Sequence, residues 1–410
     1  MSITAERLPD SYSSPTIPFE SRRLDRLMEA AGMDIVIATS KHNVQYLTGS
    51  DRAFFFDYMD AMGLSRYLPA FVYPKGTPDK AAYVGHRLEG FQRKVTPLWV
   101  GEVETASTGS IDAIEKAAVA AKRAVPAPKR IGVELAFLPM DAGAALARAF
   151  PHAELVDATP VLERQRAVKS AHELALLREA SERVTDAMLA VIAGHGPGAT
   201  TRELTEALRR EEVARGLTFE YCLITAGRNL NRAPSDQRWD KGEPLSLDSG
   251  GNYHGYIGDL CRMAVMGEPD AELIDLLAEI ETVQQAAMKP VRAGVRGGEI
   301  YAAAEASLAK MKSREHTHFL AHGMGLVSHE APHLTSRGPV PYSDEDAHRP
   351  LEAGMVISVE TTMQHPRRGF IKLEDTVAVT ASGHDIYGER GRGWNKGGTA
   401  PRTWPAPAVD

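Results

Sequence analysis

Residues 245–266, LSLDSGGNYHGYIGDLCRMAVM, read as two β-strands folded back on one another. Leu245 and Leu247 supply the apolar positions of the first arm and Ile257, Leu260, Met263 and Val265 those of the second, with Ser249-Gly250-Gly251-Asn252 carrying turn chemistry between them. Each arm also bears one aspartate, Asp248 and Asp259, eleven positions apart. An ionised carboxylate among apolar neighbours is costly unless something compensates it, and a metal ion is one such compensator. Taken alone, the pair fits equally well a turn-capping aspartate and a surface aspartate.

Three further stretches change that balance. AHGMGLVSHEAP (321–332), MVISVET (355–361) and FIKLEDTVAVT (370–380) add His322, Glu360 and Glu374. Asp, Asp, His, Glu, Glu is the complement of a two-metal site. Its four carboxylates and neutral imidazole carry a formal charge of about −4, which two divalent cations neutralise; hard oxygen ligands with one imidazole suit manganese, zinc, cobalt or iron.

With these five residues the chain resembles the pita-bread metallohydrolases: methionine aminopeptidase, aminopeptidase P, prolidase and creatinase. RRLDRLMEAAGMDIVIATSKHNVQYLTG (22–49) is similar to the start of the amino-terminal domain of the prolidase and creatinase branch. The resemblance implies an α+β fold, a pita-bread C-terminal catalytic domain preceded by a smaller α/β creatinase-type N-terminal domain. It implies that Asp248 chelates one metal, that Asp259 and Glu374 bridge two, and that His322 and Glu360 hold the second, manganese being the first choice of ion. Water between two such ions has its pKa lowered from 15.7 towards about 7, so a hydroxide nucleophile exists at neutral pH. His318 and His329, at −4 and +7 from His322, are by the same resemblance contacts to substrate or tetrahedral intermediate.

Two other patterns in this region are false leads. His329-Glu330-Ala331-Pro332-His333 matches H-E-x-x-H, which binds zinc only on a helix, and Pro332 would cost such a helix about 3 kcal/mol. Gly323-Met324-Gly325 lacks the third glycine and the strand-to-helix setting of a dinucleotide loop.

The departures from the family concern the substrate pocket. Asn231 stands where its members usually carry a substrate-binding histidine, Thr361-Thr362-Met363 follow Glu360 where proline-specific members have Pro-Gly, and Lys372 replaces a typical arginine. An amide cannot pair electrostatically with a substrate carboxylate, so Arg228, Arg232 and Lys372 join Asn231 as candidate substrate contacts. The expected function is a dinuclear hydrolase of C–N amide bonds, prolidase-like, of the Xaa-Pro dipeptidase or aminopeptidase class. Alternatives are a creatinase- or ectoine-hydrolase-like enzyme on a small metabolite, which Asn231 favours over ordinary Xaa-Pro dipeptides, a metal-dependent lyase, and a binding-only pseudoenzyme.

Outward from the motifs, a chain of 410 residues exceeds what one core usually serves. An α/β domain is expected over 19–165, with a helix from Phe19 to Ala31 and strands near 35–39, 70–73, 81–84, 131–133 and 155–156. The catalytic domain is expected over 166–390. Ser170 with Glu173 and Thr200 with Glu203 form capping boxes for two of its helices, a third starts at Pro269, and a fourth spans about 298–312. The Gly- and Pro-rich tail, 391–410, is expected to be poorly ordered or docked on a partner subunit. The aromatic stretch DRAFFFDYMDAMGLSRYLPAF (51–71) is read as local core and subunit contact, or as a loop reaching an active site.

A formal net charge of −7 without a basic stripe argues against nucleic acid. No apolar run approaches the roughly 18 residues of a membrane helix. Only Cys222 and Cys261 occur and residues 1–20 lack an apolar leader, so a reduced, cytoplasmic protein is expected, homodimeric as is usual in the branch it resembles.

Overall fold

The computed structural model describes residues 16–49, 67–336 and 342–400. The chain divides into two compact units, Met1–Gln165 and Arg166–Asp410.

In the first unit, α1 (Ser21–Ala30) ends at a left-handed Gly32 and leads to β1 (Ile35–Ala38), α2 (Lys41–Thr48), β2 (Ala70–Pro74), β3 (Ala82–His86), α3 (Gly90–Val95) and β4 (Glu102–Ser107). Then follow α4 (Ser110–Ala124), β5 (Arg130–Val133), α5 (Met140–Ala149), β6 (Glu154–Asp157) and α6 (Thr159–Ala167). The strands form one mixed sheet in the order β4-β3-β2-β1-β5-β6. Ile35, Ile37, Val72 and Ile131 share a buried core with Ala113, Ala117 and Ala121 of α4, whose small side chains let the helix lie close. α2 was not evident in the sequence: Ser40 caps it, and the buried Glu134 carboxylate accepts from the backbone N–H groups of Thr39 and Ser40 at 2.6 and 2.9 Å. β4 also escaped notice, because it is an edge strand whose glutamates break the apolar alternation. Tyr67 and Phe71 are buried, whereas residues 51–66 of the aromatic stretch lie outside the described residues.

The second unit contains α7 (Ala171–Gly194), β7 (Ala199–Thr200), α8 (Thr201–Ala214), β8 (Thr218–Ala226), β9 (Arg238–Trp239), β10 (Pro244–Tyr253), β11 (Tyr256–Val265), α9 (Ala271–Met288) and α10 (Gly297–Leu308). β12 (Thr317–Gly323), β13 (Val356–His365), β14 (Gly369–Val379), β15 (His384–Tyr387) and β16 (Asn395–Lys396) complete it. The main sheet runs β12-β13-β14-β11-β10-β8, with β15 added to β14 and β16 to β11. Both capping boxes are present, at Ser170/Glu173 and Thr200/Glu203. The third helix is capped by the Asp270 side chain, so Pro269 precedes the cap and is not its first residue. α7 and α8 pack on β8, β10 and β11, while α9 and α10 pack on β12, β13 and β14.

The hairpin expected over 245–266 exists, but its turn lies further along than the sequence suggests. Ser249 to Asn252 continue β10, and the two-residue loop is His254-Gly255, both at positive φ, 50° and 95°, the signature of a type I′ turn. Gly250 and Gly251 serve close approach instead of turning the chain. A Cβ on Gly250 would fall 2.3 Å from the Tyr221 ring, and one on Gly251 2.6 Å from Val184. Gly258 likewise lets β11 lie against the backbone of α7, where a Cβ would meet Ser181 N at 2.6 Å.

The tail also departs from expectation. β16 pairs in parallel with β11, Trp394 Nε1 donates to the Leu273 carbonyl at 2.9 Å and Asn395 Nδ2 to the Met263 carbonyl at 2.9 Å. Residues 391–400 therefore belong to the second unit rather than to a separate tail; 401–410 lie outside the described residues. Among the described residues no helix is long and apolar enough to cross a membrane.

Candidate metal centre

Strand alternation and register bring the candidate ligands together. On β14, Leu373 enters the core beneath α9 while Lys372 and Glu374 point the other way, and Glu374 stands opposite Glu360 of β13 and Cys261 of β11. Asp248 faces Cys261 across the hairpin, Gly250 faces Asp259, and His322 of β12 faces Ser358 of β13. Three groups of ligand atoms result, each within 4.8 Å: Asp248, Asp259 and Glu374; His322, Glu360 and Glu374; Asp259, His322 and His329. Glu374 belongs to two of them. A cleft of about 310 Å³ opens onto this cluster, with Tyr221, Arg232, Ser328 and His329 in its wall.

Carboxylates opposite one another on paired strands repel, so the site must be compensated. Ser358 Oγ donates to Glu374 Oε1 at 2.7 Å, and Lys372 Nζ reaches Asp248, Glu360 and Glu374. Burial and the neighbouring Glu374 and Asp248 charges push Asp259 well above the usual carboxylate range, and burial lifts Asp248 to about 6 although Lys372 opposes it. Burial would raise Glu374 too, but the Lys372 ammonium and His322 hold it below the ordinary value. His322 is buried, which would lower it, yet its carboxylate neighbours raise it to about 9.

That electrostatic pattern fits a cation. His322 Nδ1 lies 3.2 Å from the Gly323 carbonyl, which can only accept, so the ring proton belongs on Nδ1 and Nε2 turns its lone pair inward. Nε2 is buried, has no hydrogen-bond partner among the described residues and lies 3.8 Å from both Glu360 Oε1 and Glu374 Oε1. Ligand atoms about 2.0–2.2 Å from one ion stand roughly 3–4 Å apart. A divalent ion thus competes with a proton for this nitrogen.

The remaining sequence candidates separate. His329 stacks on His322, ring centroids 3.7 Å apart and planes nearly parallel, and burial together with the His322 charge lowers it to about 4. Its loop is held by the buried Glu330, which accepts from Lys169 Nζ and Arg166 Nε at 3.1 Å each. Residues 329–333 form no helix, in keeping with the rejection of H-E-x-x-H; His333 stacks on Tyr342. Gly323 and Gly325 let this loop approach, since a Cβ on Gly323 would lie 2.3 Å from the Ala331 carbonyl carbon and one on Gly325 2.3 Å from Glu330 Oε1. His318 is exposed, outside the three ligand groups, lining a neighbouring hollow with Tyr301 and Thr335.

Two substrate candidates lie away from the cleft. Asn231 is exposed and its side chain closes a local turn, accepting from Ala233 N at 3.1 Å and donating to the Ala233 carbonyl at 3.2 Å. Arg228 is exposed as well, and neither residue lines the cleft. Arg232 does: the bond from Ile224 N to its carbonyl docks it on β8, its guanidinium lies over the Phe370 ring at 5.0 Å, and it pairs with Asp248. Tyr221 was not singled out in the sequence. Burial and the Asp259 and Asp248 charges push its phenol well above the ordinary value. Gly250 opposite it on β10 was the available signal, for a strand glycine marks a close approach.

Comparison with known proteins gives the family. The profile of metallopeptidase family M24 matches residues 175–381, and that of the creatinase/prolidase N-terminal domain matches residues 21–168. The uncharacterized peptidase YqhT of Bacillus subtilis is 25% identical over 372 residues, 88% of this chain and 95% of that protein. The probable dipeptidase PepE of Mycobacterium bovis is 30% identical over 232 residues, 55% of this chain and 60% of its own length. Among solved structures, the Xaa-Pro dipeptidase from Bacillus anthracis superposes with a TM-score of 0.77 over 92% of this chain and 98% of its own, at 21% identity. Dipeptidase PepE from Mycobacterium ulcerans does so with a TM-score of 0.73 over 92% and 97%, at 27% identity. The family profile, the two-unit α+β architecture and the buried Asp, Asp, His, Glu, Glu cluster together make the chain a metallohydrolase that belongs to metallopeptidase family M24, with a creatinase/prolidase-type N-terminal domain preceding a pita-bread catalytic domain in the sequence.

Proposed function

We propose that the chain hydrolyses the C–N amide bond of small substrates of the Xaa-Pro dipeptide class, with Asp248, Asp259, His322, Glu360 and Glu374 as the ligands of up to two divalent ions. The observation that carries this reading is the convergence of these five side chains from adjacent strands into overlapping groups within 4.8 Å. Bound there, the ions would lower the pKa of water from 15.7 towards about 7 and so supply hydroxide at neutral pH. Manganese suits the carboxylate-rich set, with zinc, cobalt and iron as alternatives.

His329 faces the cleft as a neutral imidazole at pH 7, able to donate to or accept from the oxygen that gains charge as the carbonyl is attacked. Tyr221 stands beside Asp259 as a neutral phenol and can donate to the same oxygen. Arg232, partly exposed at the mouth, can pair with a substrate carboxylate, and Lys372 completes the polar wall of the cleft, whereas His318 lines the neighbouring hollow. Two buried cysteines without a disulfide suit a reducing cytoplasm, and the resemblance to prolidases carries the homodimer.

A second reading, a small cyclic amide or amidine as substrate, draws on β13. That strand runs unbroken through Thr361-Thr362-Met363, opposite Leu373, Lys372 and Ile371. The assay that separates the two uses chelator-stripped protein repleted with manganese. On the first reading, at least one Xaa-Pro dipeptide turns over with kcat/KM above about 10⁴ M⁻¹s⁻¹, and chelation abolishes it. Turnover confined to small cyclic amides selects the second reading, and metal-independent hydrolysis overturns both.

A further inference from the structure

His329 lacks the support that usually orients an imidazole at a reacting centre, a hydrogen bond from its second nitrogen to a carboxylate or carbonyl. Its Nδ1 is buried and has no hydrogen-bond partner among the described residues. One face of the ring rests on His322, 3.7 Å away between centroids, but a stacked ring can still slide and turn in its own plane. Its direction is therefore set by the backbone that carries it.

That backbone is fixed at the next residue. Glu330 is 1% exposed, and each of its oxygens has its own cation: Oε1 accepts from Lys169 Nζ and Oε2 from Arg166 Nε, both at 3.1 Å, with Arg166 Nη2 also 3.1 Å from Oε2. One cation would neutralise the carboxylate; two, one to each oxygen, fix its orientation as well. Arg166 lies in the last turn of α6 and Lys169 two residues beyond its end. Lys169 is itself anchored, its N–H donating to the Gly354 carbonyl at 2.9 Å beside a bridge between Val168 and Met355, immediately ahead of β13. Glu330 N donates to the Gly323 carbonyl at 2.9 Å, next to His322 on β12. The clamp thus refers His329 to the two strands that carry Glu360 and His322.

We infer that Arg166 and Lys169 are positioning residues for the proposed hydrolysis, acting through Glu330 to aim the His329 imidazole into the cleft. This rests on the role given to His329 above and adds what orients it.

The test uses Lys169→Met and Arg166→Met, each of which leaves one cation on Glu330 and so strands no buried charge. In full-length protein repleted with Mn²⁺ and assayed on Ala-Pro, each is expected to lower kcat by about 10- to 100-fold, since a misplacement of about 1 Å can cost that much, while KM stays within about 3-fold of wild type. Bound Mn²⁺ should not change. In a His329→Ala background the same substitutions should alter kcat by less than about 2-fold, because the residue they aim is gone. A second readout needs no turnover. In metal-stripped protein the His329 ring protons, assigned by their loss in His329→Ala, are expected upfield of ordinary imidazole positions because the ring lies over His322, and to move back towards those positions in either Met variant. An unshifted His329 resonance in the wild type would overturn the inference even if neither variant folds. An unchanged ring shift in the folded variants, or a kcat loss of equal size with and without His329, would overturn it too and leave the hydrolase reading intact. Absence of dipeptide turnover by the wild type would overturn the hydrolase reading and this inference with it.

Discussion

Arg262 and Asp375 meet on the face of the sheet turned away from the carboxylate cluster, Arg262 Nη2 lying 2.8 Å from Asp375 Oδ1 with both side chains fully buried. Arg262 also donates to the carbonyls of Glu374 at 2.8 Å and Gly388 at 2.6 Å, and Gln284 Nε2 donates to the second Asp375 oxygen at 2.9 Å. The pair thus clamps β11 to β14 directly behind Asp259 and Glu374.

From that clamp a stability effect follows. Removing one partner leaves a buried unpaired charge, so Asp375→Asn is expected to cost about 3–5 kcal/mol. Replacing both, as in Arg262→Met with Asp375→Leu, should recover part of the loss. Thermal unfolding of the two variants measures the difference, and a double variant less stable than Asp375→Asn would refute the clamp.

Glu212 gives a pH dependence away from the ligands. Burial pushes its carboxyl up to about 8, against the hydrogen bond from Ser249 and the Arg209 charge, and its Oε2 has no partner among the described residues. A folded-state pKa above the unfolded value of 4.5 means stability is fully present below pH 4.5 and lost as pH rises to about 8. Glu212→Gln removes the titration. Its stability gain over wild type should be near zero at pH 4.5, grow through pH 8 to at most about 5 kcal/mol, and then level off. A difference that does not vary with pH in denaturant titrations would exclude Glu212 as the source.

The ligand and non-ligand roles separate by metal content. Asp259→Asn keeps the shape but removes a charge shared by two of the ligand groups, so bound metal should fall by half or more and turnover should vanish while the fold persists. His329→Ala should retain its metal and lower kcat by about 10²–10⁴. Elemental analysis beside the assay distinguishes them. Metal loss from His329→Ala would make His329 a ligand, and unchanged kinetics would make it structural.

The five candidate ligands stood out in the sequence because each sits in its own apolar, strand-like stretch, where burying a charge is costly unless a cation offsets it. The supports were not. Arg262, Gln284 and Asp375 are single polar residues, and the bonds that join them to one another and to Glu374, Gly388, Arg390 and Val359 span 75 to 128 positions, a spacing no local pattern encodes. The turn was misread because Gly250 and Gly251 look like loop residues when the pressing contacts, Tyr221 and Val184, belong to other elements. The orientation of Asn231 was hidden for a related reason: a one-residue difference along the loop decides which side chain faces the cleft, and docking on β8 decides it for Arg232.

That last point carries the prediction on substrate. Asn231 is committed to its own turn, and therefore Asn231→His should leave kcat/KM on Xaa-Pro dipeptides within a few-fold of wild type, contrary to what its position in the sequence suggests. Arg232 lines the cleft and is partly exposed, so its guanidinium can leave Asp248 for a substrate carboxylate once a metal ion compensates that aspartate. Loss of a charged contact costs about 2–5 kcal/mol, roughly 30- to 5000-fold in kcat/KM when the transition state feels it fully. Arg232→Met should show that loss on dipeptides with a free carboxylate and little of it on the same dipeptides as C-terminal amides. Metal content should stay at the wild-type level. An equal loss on acid and amide would mean that Arg232 acts through Asp248 rather than on the substrate, and a large gain from Asn231→His would return the specificity role to Asn231.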